Sequence, residues 1–397
     1  MNKYQQSAVG FIGLGAFMIG SAATPGCASD TEAQPDLANR AYIVSRGSDD
    51  LTVIDLEQLE IIGVVHTTGV QNHMAELNAD FTKVFVDSAS TNESIVVDAT
   101  KLQVVNRIQT GVSPTHVSLS RDGNLLAVMN EYDDSVSFID PATEVEIKRL
   151  PGFKTPHFMR YAPDGHYGYV ANIGAYHLTR VDLATLEIDG HIALDGFSGP
   201  PDSTEAPDET GFADAQIDPD GMLYAAHNAT ARLLVYDTVT HEKMAERAIG
   251  PHPWIAYAEH PFANLPRRQL VPAFGDRTVS LIRGAAPVMS LPAGDMESFG
   301  VNFSPLVPDK AFVMNRLRRD ITVVDTALGT VTGNIATGGT TETASTTADG
   351  KWIVATVSSS NQVIVIDAMT NQIVKTFDNV GEYPWSVTIP LGQNYCH

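Results

Sequence analysis

Three histidines, two tryptophans and a glutamate stand at corresponding places in this chain. His73, His157, His252, Trp254, Glu342 and Trp385 each fall at or next to the start of a short run rich in β-branched and aromatic residues. Imidazoles converging on one point would offer neutral nitrogen donors to a transition metal or a haem iron, and indoles beside them suit stacking on a flat ligand. The alternative for each histidine is a ring satisfied by backbone groups, and tryptophan also serves as a packing residue. His116 stands one residue out of register with His157, which would turn it into its own sheet. Arg46, Arg277, Arg316, Arg318 and Arg319 fall in connections that open toward the same end. Guanidinium groups suit bidentate capture of carboxylate or phosphate, so these residues point to a small anionic ligand. Surface salt bridges to Asp49, Asp50, Asp276 and Asp320 are the alternative.

The elements that must position these residues repeat from end to end. Thr155 to Asp182 is one unit: a run Phe158 to Ala162, a Pro163-Asp164-Gly165 turn, a run Tyr167 to Asn172, and a third run, Leu178 to Asp182. Third runs end at Asp55, Asp98, Asp140, Asp182, Asp237, Arg283, Asp325 and Asp367, giving successive spacings of 43, 42, 42, 55, 46, 42 and 42. That period, with about four strands per unit, is the signature of a β-propeller. Eight first runs are also found, the last being Trp385 to Ile389, while the first unit lacks its own. The C-terminal run therefore completes the blade of residues 41 to 66 and closes the ring. The expectation is one all-β, eight-bladed domain over residues 40–390, with seven blades as the alternative count. Asp122-Gly123, Asp164-Gly165, Asp220-Gly221 and Asp349-Gly350 read as hairpin turns, and Asn130, Asn172, Asn228 and Asn315 as capping amides. Asp195 to Gly211 is the one large insertion, a lid or a mobile excursion.

Composition narrows the classes of function. A formal charge of -22, from 47 acidic against 25 basic side chains, opposes binding to nucleic acid. Residues 1–27 read as an export signal, with Lys3 before an apolar run from Ala8 to Ala23, and residues 28–39 as a polar tether. Pro25-Gly26-Cys27 resembles a lipoprotein cleavage site that would acylate Cys27, the alternative being ordinary signal cleavage nearby. A lipid anchor would be the one membrane contact expected. The other cysteine, Cys396, beside His397 in the tail of residues 391–397, is a soft-metal pair or an exposed thiol. No Ser-His-Asp arrangement, P-loop or dinucleotide fingerprint is present.

The turns followed by Tyr169-Val170-Ala171-Asn172 and an apolar run ending in Asp resemble the YVTN-type, YncE-like propeller repeats of exported bacterial proteins, over residues 41 to 390. A narrower resemblance is to the haem d1 propeller of dissimilatory cytochrome nitrite reductases. It implies that His73, in Val70-Gln71-Asn72-His73-Met74, is the proximal iron ligand. Gly250-Pro251-His252-Pro253-Trp254, followed by His260-Pro261, resembles the element that carries a distal histidine. The second distal histidine of that family falls at Ala213, so its chemistry is incomplete here. The absence of Cys-x-x-Cys-His excludes covalent haem c. These readings converge on an exported, non-enzymatic protein that binds a small anionic or planar ligand, or another envelope protein, through its His/Arg face. A haem- or metal-binding redox protein is the alternative, with His73 and His252 as ligands; a structural repeat protein would leave the histidines idle.

Overall fold

The computed structural model describes residues 36–197, 210–259 and 268–394. Residues 1–35 lie outside them, and with them the segment read as an export signal and Cys27; so do most of the 195–211 insertion, His260-Pro261 and Cys396-His397. Among the described residues the chain is almost wholly β, with single 3-10 turns at Glu131–Asp133 and Ser358–Ser360.

Eight antiparallel sheets form the propeller, and each consecutive blade contributes one inner strand to the wall of the channel. The inner strands are Pro384–Thr388 for blade 1, then Asn72–Leu77, Pro114–Leu119, Pro156–Tyr161, Phe212–Ile217, Tyr257–Ala258, Gly300–Phe303 and Thr341–Thr346 for blades 2 to 8. Blade 1 closes as the sequence implies: Tyr42 pairs with Thr388, Ile43 with Val387 and Val44 with Ser386, so the N-terminal hairpin and the C-terminal strand share one sheet. Beyond this strand Gln393–Asn394 pairs with Ser345 and Thr346 of blade 8, tying the tail to the ring.

Burial follows from position in the blade. Second and third strands pack against neighbouring blades on both faces and are buried nearly throughout, as in Ala41–Val44 and Val84–Ser88. Outer strands such as Glu60–His66 alternate between exposed and sheltered residues, as one solvated face requires. The cores therefore lie between blades; Tyr42, Val44, Val84 and Val86 share one of them.

The repeat markers have a physical reading. Asp55, Asp98, Asp140, Asp182, Asp237 and Asp367 each accept N–H groups from residues two and three further on, at 2.8–3.2 Å, forming the turn to the outer strand. These bonds hold the carboxyls of Asp140, Asp182, Asp237 and Asp367 below the usual carboxylate range. In the Asp-Gly turns Gly165 and Gly350 have φ of 72° and 74°, the left-handed region that glycine enters without strain. The capping amides are buried as expected: Asn130 Nδ2 donates to Ser135 and Ser137 Oγ, and Asn172 Nδ2 to His177 O and Thr179 Oγ1.

Candidate functional site at the channel mouth

Two residues from every blade surround the mouth of the channel. One stands at the start of each inner strand: His73, Thr115, His157, Ala213, Trp254, Phe299, Glu342 and Trp385 in order from blade 2 round to blade 1. The other follows the end of each second strand: Arg46, Ala89, Glu131, Ile173, Asn228, Phe274, Arg316 and Ser358. A single hydrogen bond locks this register in all eight blades. The N–H of each residue in the second ring donates to the carbonyl two residues before the first-ring residue of its own blade, at 2.8–3.2 Å, from Arg46 N to Tyr383 O through to Ser358 N to Thr340 O. The backbone is uniform, and only the side chains differ.

Eleven of these sixteen residues line a cavity of about 580 Å³, among them His73, His157, Trp254, Trp385, Arg46 and Arg316, six of the residues selected from the sequence. Phe299, Glu131 and Tyr132 join them. The imidazoles touch one another: His116 lies 3.9 Å from His157 and 5.0 Å from His73 between ring centroids. Trp385 stands 5.3 Å from His73, with the Arg46 guanidinium 4.8 Å from its ring centre. Trp254, Phe299 and Phe274 pack together on the other side, and Arg316 sits 4.7 Å above Phe299.

Electrostatics set the state of the histidines. His73 Nδ1 lies 2.7 Å from Thr115 O and His157 Nδ1 lies 2.8 Å from Ala213 O. A carbonyl only accepts, so Nδ1 carries the proton in both rings and Nε2 keeps its lone pair. Burial, then the nearby Arg46 charge, pushes His73 down to about 3; burial pushes His157 down to about 4. Both rings are therefore neutral at ordinary pH. His116 is fully buried, with Nδ1 3.0 Å from Thr115 Oγ1 and 3.8 Å from Glu131 Oε1. One donor atom from each of His116, Glu131 and His157 falls within 4.8 Å of the others, a spacing that one metal ion can bridge.

The remaining residues chosen from the sequence lie elsewhere. His252 is exposed and lies outside the cavity; its Nδ1 is 3.3 Å from Asn228 Oδ1. It occupies the place two residues before the mouth, with φ of 50°, where its carbonyl accepts Phe274 N–H; the same left-handed position is held by Gln71, Ser113, Thr155 and Tyr383. His252 is thus a turn residue, and Trp254 takes its blade's place at the mouth. Glu342 is buried behind the wall, its Oε2 2.8 Å from Arg316 Nη2 and its Oε1 accepting from Ser358 Oγ at 2.5 Å. Arg318 pairs with Asp320 at 2.8 Å, the surface alternative, while Arg277 and Arg319 are exposed away from the cavity. His116 does face its own blade's interior, as its register implies, but the interior it enters is the wall shared with His157. Glu131 was legible as the equivalent of Arg46 and Arg316 in blade 3.

Residues 118–218 match the family model of YNCE-like β-propellers. No curated protein sequence matches the chain. Three solved structures share the fold at low identity. Dihydro-heme d1 dehydrogenase NirN in complex with DHE aligns at a TM-score of 0.75 and 15% identity, over 91% of this chain and 77% of its own. AztD from Citrobacter koseri, in its apo form, aligns at 0.60 and 15% identity, over 88% and 96%. Hydrazine synthase of Kuenenia stuttgartiensis aligns at 0.53 and 16% identity, over 86% and 98%.

Proposed function

We propose that this chain, an eight-bladed β-propeller of YNCE type, is a ligand-binding protein whose channel mouth holds a divalent transition-metal ion on His116, Glu131 and His157, with His73 as a neighbouring donor. The observation that carries the reading is the convergence of three donor atoms within 4.8 Å, two of them imidazole nitrogens buried in the wall. Nitrogen and carboxylate donors in this number suit zinc or a similar ion. The Nδ1–H to carbonyl bonds of His73 and His157 are the outer-sphere contacts that orient a ligating imidazole and fix its tautomer. Arg46 adds an attraction for anions at the same mouth.

The test is titration of the metal-free protein with Zn²⁺, Cu²⁺ and Fe²⁺ followed by calorimetry and elemental analysis. Binding of one ion at micromolar concentration, lost in His116→Ala, is expected; no binding, or binding indifferent to that substitution, would leave the histidines structural. A haem-type macrocycle is the second reading, favoured by the flat aromatic wall of Trp254, Phe299 and Trp385. His73 would then be the axial ligand, and a Soret band that shifts in His73→Ala but not in His116→Ala would select it. The apolar N-terminal segment supports export to the cell envelope. Fractionation of wild type against Cys27→Ser tests it: release of the variant from membranes marks a lipid anchor, and soluble wild type marks ordinary cleavage.

A further inference from the structure

The cavity is far larger than a metal ion and has at its rim a guanidinium that no carboxylate pairs with among the described residues. A hollow of about 580 Å³ is of the size that receives a small organic molecule, whereas a coordinated ion fills a minor part of it. Arg46 and Arg316 both lie over aromatic rings at its rim, yet only one is neutralised. Arg316 holds the buried Glu342 at 2.8 Å, with Glu297 3.7 Å away. Arg46 forms no ion pair and no side-chain hydrogen bond among the described residues; its guanidinium rests on Trp385. In a chain with a net charge of -22, a half-buried cation left unpaired beside a cavity whose one lining carboxylate, Glu131, belongs to the metal donor set favours an anionic occupant.

From this we infer that the metal is held as a ternary complex with a small polycarboxylate, one carboxylate completing the coordination of the ion and another received by Arg46. The inference rests on the metal reading above and adds the class of the co-ligand. The arrangement round the ring supports it: Arg46 and Trp385 belong to blade 1, His73 to blade 2, and the metal donors to blades 3 and 4. A polycarboxylate reaching from the ion to the guanidinium would lie across His73, whose ring is 5.0 Å from His116 and 5.3 Å from Trp385. A carboxylate fits better than a polyphosphate, because the mouth presents a single unmatched guanidinium, and the Trp385 face accommodates a carbon skeleton.

Equilibrium dialysis of the full-length protein with zinc and labelled citrate tests the proposal. The zinc-loaded wild type should retain one citrate per ion, at least about tenfold more tightly than the metal-free protein, since a charge-assisted pair adds to the coordinate bond. Arg46→Gln should bind zinc and lose about tenfold or more in citrate affinity. Arg46→Lys, which keeps the charge without the fork, should fall between them. His116→Ala should lose both ligands, and pyrophosphate should not replace citrate. Melting curves establish that each variant is folded. Zinc bound without citrate, citrate retained unchanged by Arg46→Gln, or equal retention of pyrophosphate would overturn the ternary complex while leaving the metal site standing. Wild type that binds no zinc would overturn both.

Discussion

The two faces of the propeller are built from the same strands and differ in what the repeat leaves free to vary. On the face opposite the mouth the same devices recur, an Asp-Gly turn in four blades and, in six, an aspartate that caps the start of the outer strand. At the mouth the backbone is just as uniform, since one hydrogen bond recurs in all eight blades, but the side chains change from imidazole to indole, guanidinium or carboxylate. The first face satisfies turns. The second places different chemistry at equivalent positions of successive blades round a channel. Departure from the repeat at a structurally equivalent position is thus the sign of a site here.

The largest expected effect breaks both faces at once. Deletion of residues 383–397 removes the inner strand of blade 1, uncovers the edges of two sheets and leaves Arg46 without Trp385. Trp385, Val387 and Ile389 are buried, so the loss is several kcal/mol, a sizeable part of the total stability of about 5–15 kcal/mol usual for a domain. A melt within a few degrees of wild type would show that the ring closes without this strand.

Next comes the mouth alone. His157→Ala should weaken zinc binding by more than about 100-fold, the upper end of what loss of an outer-sphere partner costs, with little change in melting temperature of the metal-free protein relative to the deletion. Calorimetric titration decides it, and unchanged affinity removes His157 from the site.

A pH series separates neutral imidazoles from ordinary ones. The folded values of His73 and His157, about 3 and about 4, lie below the usual 6.5, so the unfolded chain binds more protons between those limits. Their contribution to stability is complete above pH 6.5 and declines as pH falls toward 4, by about 1.4 kcal/mol per pH unit per histidine. Glu76 and Glu259, both raised to about 7 chiefly by burial, act in the opposite sense between 4.5 and 7. Denaturation of wild type against His157→Asn from pH 4.5 to 6.5 isolates the histidine, and the variant should show the flatter loss toward acid. Equal slopes would mean that His157 titrates normally.

The smallest effect belongs to the opposite face. Asp140→Ala deletes two capping bonds in one of many equivalent turns and should cost about 1 kcal/mol, a shift of a degree or two in melting, with zinc affinity unaltered. A change in metal binding would mean that the two faces are coupled.

Much of this organisation was legible in the residues. The spacing of the third-strand aspartates carried the blade count because a capped turn recurs wherever that aspartate does. The orphan strand Trp385 to Ile389 implied the closure. His73, His157, Trp254, Trp385, Arg46 and Arg316 were found because strand starts and ends map directly onto the mouth. His252 was misplaced because a Pro-His-Pro resemblance outweighed register: the proline after it aligns with Pro114, Pro156 and Pro384, which puts Trp254, not His252, at the mouth. The proposed donor set was hidden, since His116 reaches His157 only through packing between blades, which no spacing within one blade encodes.

The shared sheet of blade 1 also sets an order of events. Ser45 donates its hydroxyl hydrogen to the carbonyl of Val380, a residue 335 positions away, and Ser386 donates to His73 O across 313. The hairpin of Arg40–Asp55 therefore waits, with one edge uncovered, for residues more than 300 positions further along the chain. Contacts so distant in sequence slow the final step of folding, and the waiting edge is open to pairing with other chains. Ring closure thus conceals an edge that a chain truncated before Pro384 would keep unpaired, open to recognition by proteases and chaperones.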